Sequence, residues 1–445
     1  TAMNTAGRAI LFAGATVVIA LLGMFALGVS FLHGVAIASS LAVLLVLAAS
    51  LTLLPALLTF SGRRIGGLRR RRRAPARANG GFWVRWIGVI QRRPAIAAIA
   101  STALMLALAA PALGLRLGAS DAGNSPKSET TRKAYDLLAQ GFGKGVNGPL
   151  QLAVSLPSTG AGLAALTDAL HRTPGVASVA APRLNSARDT AAVAVYPTSS
   201  PQSEQTVRLV KRLRNDVLPA VERATGATVF VGGATATAVD FAQVLAGKLP
   251  LFIAVVVLLS ALLLLVVFRS LLIPLQAAVM NLLSIGASIG IVQAVFERGW
   301  LGGLLGVQPG PIEAFIPVMF FAIVFGLSMD YEVFLVSRIH EEWQHTGDAS
   351  ASVREGIVRT GRVITAAAAV MVAVFAAFAA SDDRVLKLFG LSMATAVFLD
   401  AIVIRTILLP AVLELLGRRA WAFPGWLDRR LPRLAIEPEP AAEAA

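Results

Sequence analysis

EAFIPVMFFAIVFGLSMDYEVFLV, residues Glu313 to Val336, decides what kind of chain this is. After Glu313 its first half is apolar without interruption, and the whole run exceeds the roughly 20 helical residues that cross a bilayer. Its second half then carries Ser328, Asp330, Tyr331 and Glu332. An acid near the middle of a bilayer costs about 2.5–3.5 kcal/mol on insertion scales, so an acid kept there marks a working group.

Seven further apolar stretches flank this one, roughly at 9–29, 34–60, 94–115, 249–268, 271–295, 363–380 and 385–413. The stretch at 9–29 has no small-residue cleavage site and a second span follows at once, so it reads as a span rather than a removable leader. Hydrophobic residues make up 56% of the 445-residue chain and charged residues 15%. That balance excludes a disordered chain and an ordinary soluble enzyme. With no cysteine, disulfides, thiolate metal sites and cysteine nucleophiles are excluded too.

The net charge of +15 is a matter of topology. Eleven arginines lie between Arg63 and Arg93, five of them consecutive from Arg69 to Arg73. Arg338, Arg354, Arg359 and Arg362 share another loop, and Arg418, Arg419, Arg429, Arg430 and Arg433 follow the last span. Basic loops stay in the cytoplasm. Eight spans then put every basic loop on one side and residues 116–248 outside. The Arg69–Arg73 run is expected to meet anionic head groups rather than nucleic acid.

The two ends of the chain resemble each other. Gly7-Arg8-Ala9-Ile10 matches Gly361-Arg362-Val363-Ile364, and Leu53-Leu54-Pro55-Ala56 matches Leu408-Leu409-Pro410-Ala411. Transporters are often built from such repeats. The expected organisation is 1–62 as the last two helices of a first repeat and 63–93 as an Arg-rich cytoplasmic linker. Residues 94–115 open the second repeat, 249–419 supply its other five helices, and 420–445 form an interfacial or disordered tail. The counterpart of 94–355 is not in the sequence, so a fragment of a longer protein is expected.

Residues 116–248 are soluble in character. A helix is expected near 129–140. Strands at 149–156, 175–181, 189–196 and 227–232 alternate with helices at 161–172 and 202–224, and a short helix from 234 leads back to the membrane. That order, β-α-β-β-α-β, is a ferredoxin-like split unit. The fold class is therefore a polytopic α-helical membrane protein of about eight transmembrane helices with an extracytoplasmic α+β domain of porter type.

Two motif matches fail on context. Gly286-Ala287-Ser288-Ile289-Gly290 fits the serine-hydrolase elbow, which needs a strand-turn-helix setting; inside a span its small residues serve close helix packing. His340 and His345 are five apart rather than four, so they do not share a helix face as zinc ligands would. No Gly-x-x-x-x-Gly-Lys-[Ser/Thr] loop exists to cradle ATP, and no cofactor or metal is expected.

Asp400 and Arg405 sit in the last span at a depth similar to that of Asp330, and Asn281 and Ser284 fall near it as well. A carboxyl there can load and release a proton, and one charge crossing about 100 mV is worth about 2.3 kcal/mol. Proton movement could then drive a conformational cycle without ATP. The expectation is Asp330 as proton carrier with Tyr331 as its hydrogen-bonding partner. Asp330 and Asp400 can face each other inside the bundle. Asp400 and Arg405 form a coupled pair, with Arg405 near the inner end and able to snorkel. Glu332 points away from Asp330, because two positions along a helix are about 200° apart; it is a supporting residue, as are Asn281 and Ser284.

With these residues in place, the chain resembles the MmpL family of the RND (resistance-nodulation-division) transporter superfamily. The resemblance rests on Gly326-Leu-Ser-Met-Asp-Tyr-Glu-Val-Phe-Leu-Val-Ser-Arg338, Phe398-Leu-Asp-Ala-Ile-Val-Ile-Arg405 and Leu408-Leu-Pro-Ala411. Arg269-Ser-Leu-Leu-Ile-Pro274 and Asn281-Leu-Leu-Ser284 also fit. It implies a twelve-helix inner-membrane transporter, driven by the proton gradient, that exports lipids or hydrophobic and amphiphilic compounds. In such proteins an Asp-Tyr pair in each central helix forms the proton relay, which carries over to Asp330 and Tyr331; the partner pair would precede Thr1. The implied partners are membrane lipids, a hydrophobic substrate, and either further copies of the chain or a missing N-terminal half. A non-transporting scaffold or lipid sensor on the same fold is the alternative.

Overall fold

A computed structural model describes residues 2–70, 80–157, 162–425 and 429. The chain opens with helix α1 (Ala2–Leu22), tightened into a 3₁₀ turn over Gly23–Leu27, and then α2 (Ser30–Arg70). Helix α3 (Gly80–Arg92) precedes α4 (Pro94–Ala109). Pro94 stands in the first turn of α4, where its missing N–H has no helical partner to lose. Seven stretches are long and apolar enough to cross a membrane: Ser30–Leu57, Pro94–Gly114, Ala234–Phe268, Leu272–Phe296, Ile316–Thr346, Ala349–Ala379 and Arg384–Trp421. The apolar stretch of α1, Gly14–Leu27, is shorter.

The segment 63–93 is not a plain linker. Helix α2 continues past residue 62, and α3 packs on the bundle: Trp86 Nε1 donates to the Thr406 carbonyl at 2.9 Å and Gln91 Nε2 to Glu414 Oε2 at 3.1 Å. Arg71, Arg72 and Arg73 lie outside the described residues, as do 426–428 and 430–445 of the tail.

After α4 a short strand β1 (Leu117–Gly118) leads into the α+β domain. It contains α5 (Thr130–Phe142), β2 (Leu150–Ser155), α6 (Leu163–His171), β3 (Val176–Val179), β4 (Arg183–Leu184) and β5 (Thr190–Pro197). Helices α7 (Glu204–Arg212) and α8 (Leu218–Thr225) follow, joined by a π turn, and then β6 (Thr228–Gly232). The main sheet runs β3-β5-β2-β6, all neighbours antiparallel, with Leu152 facing Val193 on one side and Val231 on the other. This is the expected split order. Period-two alternation sends Leu150, Leu152 and Val154 inward onto Leu166 and Leu170 of α6 and Leu209 of α7.

The return to the membrane differs from expectation. The short helix from 234 and the span at 249–268 are one helix, α9 (Ala234–Phe268), with Pro250 inside it. At 1.5 Å per residue it is about 52 Å long. Helices α10 (Leu272–Phe296) and α11 (Gly302–Leu305) precede strand β7 (Ile312–Glu313), which pairs parallel with β1. The bundle ends with α12 (Ile316–Thr346), α13 (Ala349–Ala379), α14 (Arg384–Leu399), a π-helical stretch over Asp400–Leu408, and α15 (Leu409–Leu416). Asp383 caps α14 by accepting from the Leu386 N–H at 2.8 Å. The bundle core centres on α12, whose Phe320, Phe321, Phe325, Met329 and Val333 are all buried.

Candidate functional site

Helix α1 comes close to α12. A Cβ at Gly326 would sit 2.9 Å from the Val17 Cα, so only glycine admits that approach. It brings Thr16, the single polar side chain between Ile10 and Val29, onto the motif acid. Thr16 Oγ1 donates to Asp330 Oδ1 at 3.2 Å.

The opposite face of α12 carries Ser328 and Glu332, which are one turn apart and therefore share a stripe. Both meet Arg405. The π-helical stretch sets this up, since its wider turn aligns residues five apart. Asp400 and Arg405 thereby touch, with Arg405 Nε donating to Asp400 Oδ2 at 3.3 Å. Arg405 Nη2 donates to the Ser328 hydroxyl at 2.8 Å and to the Ser328 carbonyl, and Nη1 lies 3.3 Å from Glu332 Oε2. The Arg405 and Glu332 side chains are each only 1% exposed. Ser328 Oγ lies 3.0 Å from Asp400 Oδ1 and also bonds Asn281 Oδ1 from α10. One hydroxyl has one proton, so Ser328 donates to one of these acceptors at a time. Asn281 turns its amide to Met329 Sδ at 3.5 Å.

Four expectations are corrected. Tyr331 does not bond Asp330: adjacent helix positions point about 100° apart, and its hydroxyl donates to Met371 Sδ on α13 at 3.2 Å. Ser284 is buried near the cluster, but its hydroxyl has no partner among the described residues. Arg405 does not snorkel, because three groups inside the bundle hold its guanidinium. Asp330 and Asp400 take their hydrogen bonds from different partners on opposite faces of α12 rather than from each other. Glu332 points away from Asp330 as expected, but it does so toward Arg405. Sequence reasoning missed Thr16 and the bridging role of Ser328. The lone threonine in an apolar run and the Ser328–Glu332 spacing were the available signals.

The hydrolase-like motif is packing. A Cβ at Gly290 would meet the Leu108 carbonyl at 2.0 Å, so α4 and α10 touch backbone to backbone there, while Ser288 donates to the Ser392 carbonyl at 2.8 Å. No group of three metal-ligating side chains occurs among the described residues.

A cavity of about 600 Å³ lies between the α+β domain, the segment Leu115–Asp121 and α9, with Gln202, Lys211, Ala242 and Leu249 on its wall. Asp121 lines it and accepts from Gln202 Nε2 and the Gly123 N–H, each at 2.8 Å. Burial nonetheless pushes the Asp121 carboxyl above its ordinary range. Burial, with the Asp121 charge beside it, pushes the Tyr135 hydroxyl up to about 12. An apolar groove of about 410 Å³ between α9 and α10 shares Ala246 and Leu249 with this cavity.

The sequence profile of the MMPL family matches residues 1–97 and 124–440. Membrane protein YdfJ of Bacillus subtilis is 34% identical over 441 residues, covering 98% of this chain and 60% of YdfJ. The mycolic acid-containing lipids exporter MmpL11 of Mycolicibacterium smegmatis is 33% identical over 448 residues, covering 98% of this chain and 47% of the relative. The heme uptake protein MmpL11 of Mycobacterium tuberculosis is 34% identical over 446 residues, with 98% and 46% covered. The chain spans about half the length of the curated relatives it matches.

Proposed function

The chain belongs to the MMPL family, and from that premise we propose that it is the proton-driven part of an exporter of lipids or other amphiphiles. The observation that carries this reading is the buried cluster of Glu332, Asp400 and Arg405 in the apolar bundle, with the part-buried Asp330 on the other face of α12. One guanidinium neutralises one of three carboxylates. The remaining negative charge is expensive in an apolar bundle unless protons cover it.

The geometry supplies a way to read the proton. When Asp400 is ionised it accepts from both Ser328 and Arg405. When it is protonated it can donate to Ser328, whose own proton then goes to Asn281. The preferred hold of α12 on α10 and α14 changes with that choice. Asp330, facing Thr16 on α1, loads the proton on the other face. In this reading the far end of the bundle, with Arg338, Arg354, Arg359 and Arg362, is cytoplasmic and the α+β domain lies outside the inner membrane. The cavity beside that domain and the groove that joins it suit a molecule with an apolar body and a polar end.

The test uses the full-length protein in proteoliposomes with an imposed proton gradient and a fluorescent phosphatidylethanolamine as probe. One proton per cycle at about 100 mV supports up to roughly a fiftyfold difference in probe across the membrane. Asp330→Asn is expected to remove that difference while the protein still reaches the membrane. Undiminished gradient-dependent transport by Asp330→Asn would refute the reading.

A further inference from the structure

A second buried ion pair lies at the domain end of the bundle, outside the cluster described above. Arg384 Nη1 donates to Glu313 Oε1 at 2.9 Å, and the two side chains are 9% and 6% exposed. Glu313 is the last residue of β7 and stands just before α12; Arg384 is the first residue of α14. The same Glu313 oxygen also accepts from Ser120 Oγ, in the segment that enters the α+β domain. The Arg384 guanidinium lies over the Phe296 ring at 5.4 Å, at the end of α10. A polar joint thus ties α12, α14 and the segment 117–120 at one carboxylate.

The surroundings reinforce it. Arg116 Nε donates to Glu297 Oε1 at 2.6 Å, Asn124 Nδ2 donates to the Pro309 carbonyl at 2.8 Å, and β1 pairs with β7. Lys387, one turn into α14, donates to the Leu305 carbonyl at 2.8 Å. Segment 115–121 is therefore fastened to the start of α12, and the start of α14 is fastened to the same loop. That segment also forms one wall of the 600 Å³ cavity. Helix α12 carries Asp330, and α14 runs straight into the stretch that carries Asp400 and Arg405.

We propose that Glu313, Arg384 and Ser120 form the joint that passes relative movement of α12 and α14 to the wall of the external cavity. They act as positioning residues: none touches a proton site, and Ser120 alone of the three lines the cavity. Buried charges tolerate few arrangements: an ion pair away from water must stay paired or incur the cost of an isolated charge. A sliding α12 therefore drags Glu313, and Glu313 drags Ser120. The proposal rests on the proton-driven reading, so its test separates the two.

The experiment uses the 445-residue chain in lipid nanodiscs, with spin labels on introduced cysteines and no native cysteine to remove. One label pair, at Arg172 and Leu304, reports the domain against the domain-end loop. A second, at Gln344 and Arg418, reports the far ends of α12 and α15. In the parent chain both distance distributions shift between pH 8 and pH 5.5, and Asp330→Asn removes both shifts. Glu313→Gln and Ser120→Ala remove only the shift of the domain pair. Ser120→Ala leaves the buried ion pair intact, so it spares the fold. A domain pair that still shifts in both joint variants overturns the joint, and so does loss of both shifts together in Ser120→Ala. A parent chain with no shift in either pair overturns the proton-driven reading and the joint with it.

Discussion

Arg405 is the residue on which the polar cluster balances. It is buried with Asp400 and Glu332 at 3.3 Å each and with Ser328 between them. Removing one partner of a buried ion pair typically costs about 3–5 kcal/mol, because the other charge is left without compensation. Arg405→Gln keeps an amide donor but is shorter and carries no charge. It should lower the thermal stability of the detergent-solubilised protein, while Arg359→Gln, at an exposed i,i+4 pair with Glu355, should change it by less than about 1 kcal/mol. Equal melting temperatures for the two variants would contradict the central role of Arg405. At this scale the acids were legible in the sequence because charge in an apolar run is conspicuous. Thr16 and the true partner of Tyr331 were not, since each depends on which helix lies alongside α12. From sequence, Arg405 reads as coupled to Asp400 yet able to snorkel, because its contacts with Ser328 and Glu332 also depend on α12 lying alongside.

Among the elements, the apolar part of α12 was readable, but its last ten residues, with Arg338, read as a loop that also held Arg354, Arg359 and Arg362 of α13, and its relation to α1 was not legible. Period and length announce a span, but nothing in a single sequence states that Gly326 faces Val17. The contact has a testable size. A Cβ at 2.9 Å from a backbone Cα cannot be accommodated by a side-chain rotation, so α1 or α12 must shift. Overpacking of this kind costs typically about 1–3 kcal/mol. Gly326→Val should push α1 away and break the Thr16–Asp330 hydrogen bond. Cross-linking between cysteines at positions 16 and 330 should fall markedly once valine is introduced, and cross-linking between α13 and α14 should not. Unchanged 16–330 cross-linking would show that the close approach is not what places Thr16. The π-helical stretch after Asp400 makes the same point from the other direction. Its residues read as ordinary span, so the pair of Asp400 and Arg405 was expected without the wider turn that brings residues five apart together.

At the scale of the whole molecule the described residues form two large cores with one helix through both, beside two smaller clusters in the bundle. Leu150, Leu152, Val193 and Leu209 belong to the domain core, and Phe252, Phe321, Phe325 and Met329 to the bundle core. Helix α9 gives Ala236 and Val239 to the first and Ala242, Leu245 and Phe252 to the second, and among the described residues no other helix or strand places fully buried side chains in both. The sequence marked the two regions by composition, and by the same criterion divided α9 into a short helix from 234 and a span at 249–268. In the structure the helix runs on through Pro250 as a continuous strut. Separate cores predict separate cooperative units. In urea, with the bundle held in detergent, the domain should unfold first. Leu152→Ala should lower that first transition by about 2–5 kcal/mol, the usual cost of emptying a buried leucine site, and leave the second where it was. Phe325→Ala should do the reverse. Glycine at Ala242, the first α9 residue of the bundle core, should spread the transitions further apart, since about 1 kcal/mol of helix propensity is lost where the units are joined. A single transition that moves as one in all three variants would mean that the strut makes the two cores fold as a unit, and the joint at Glu313 would then have no independent body to move.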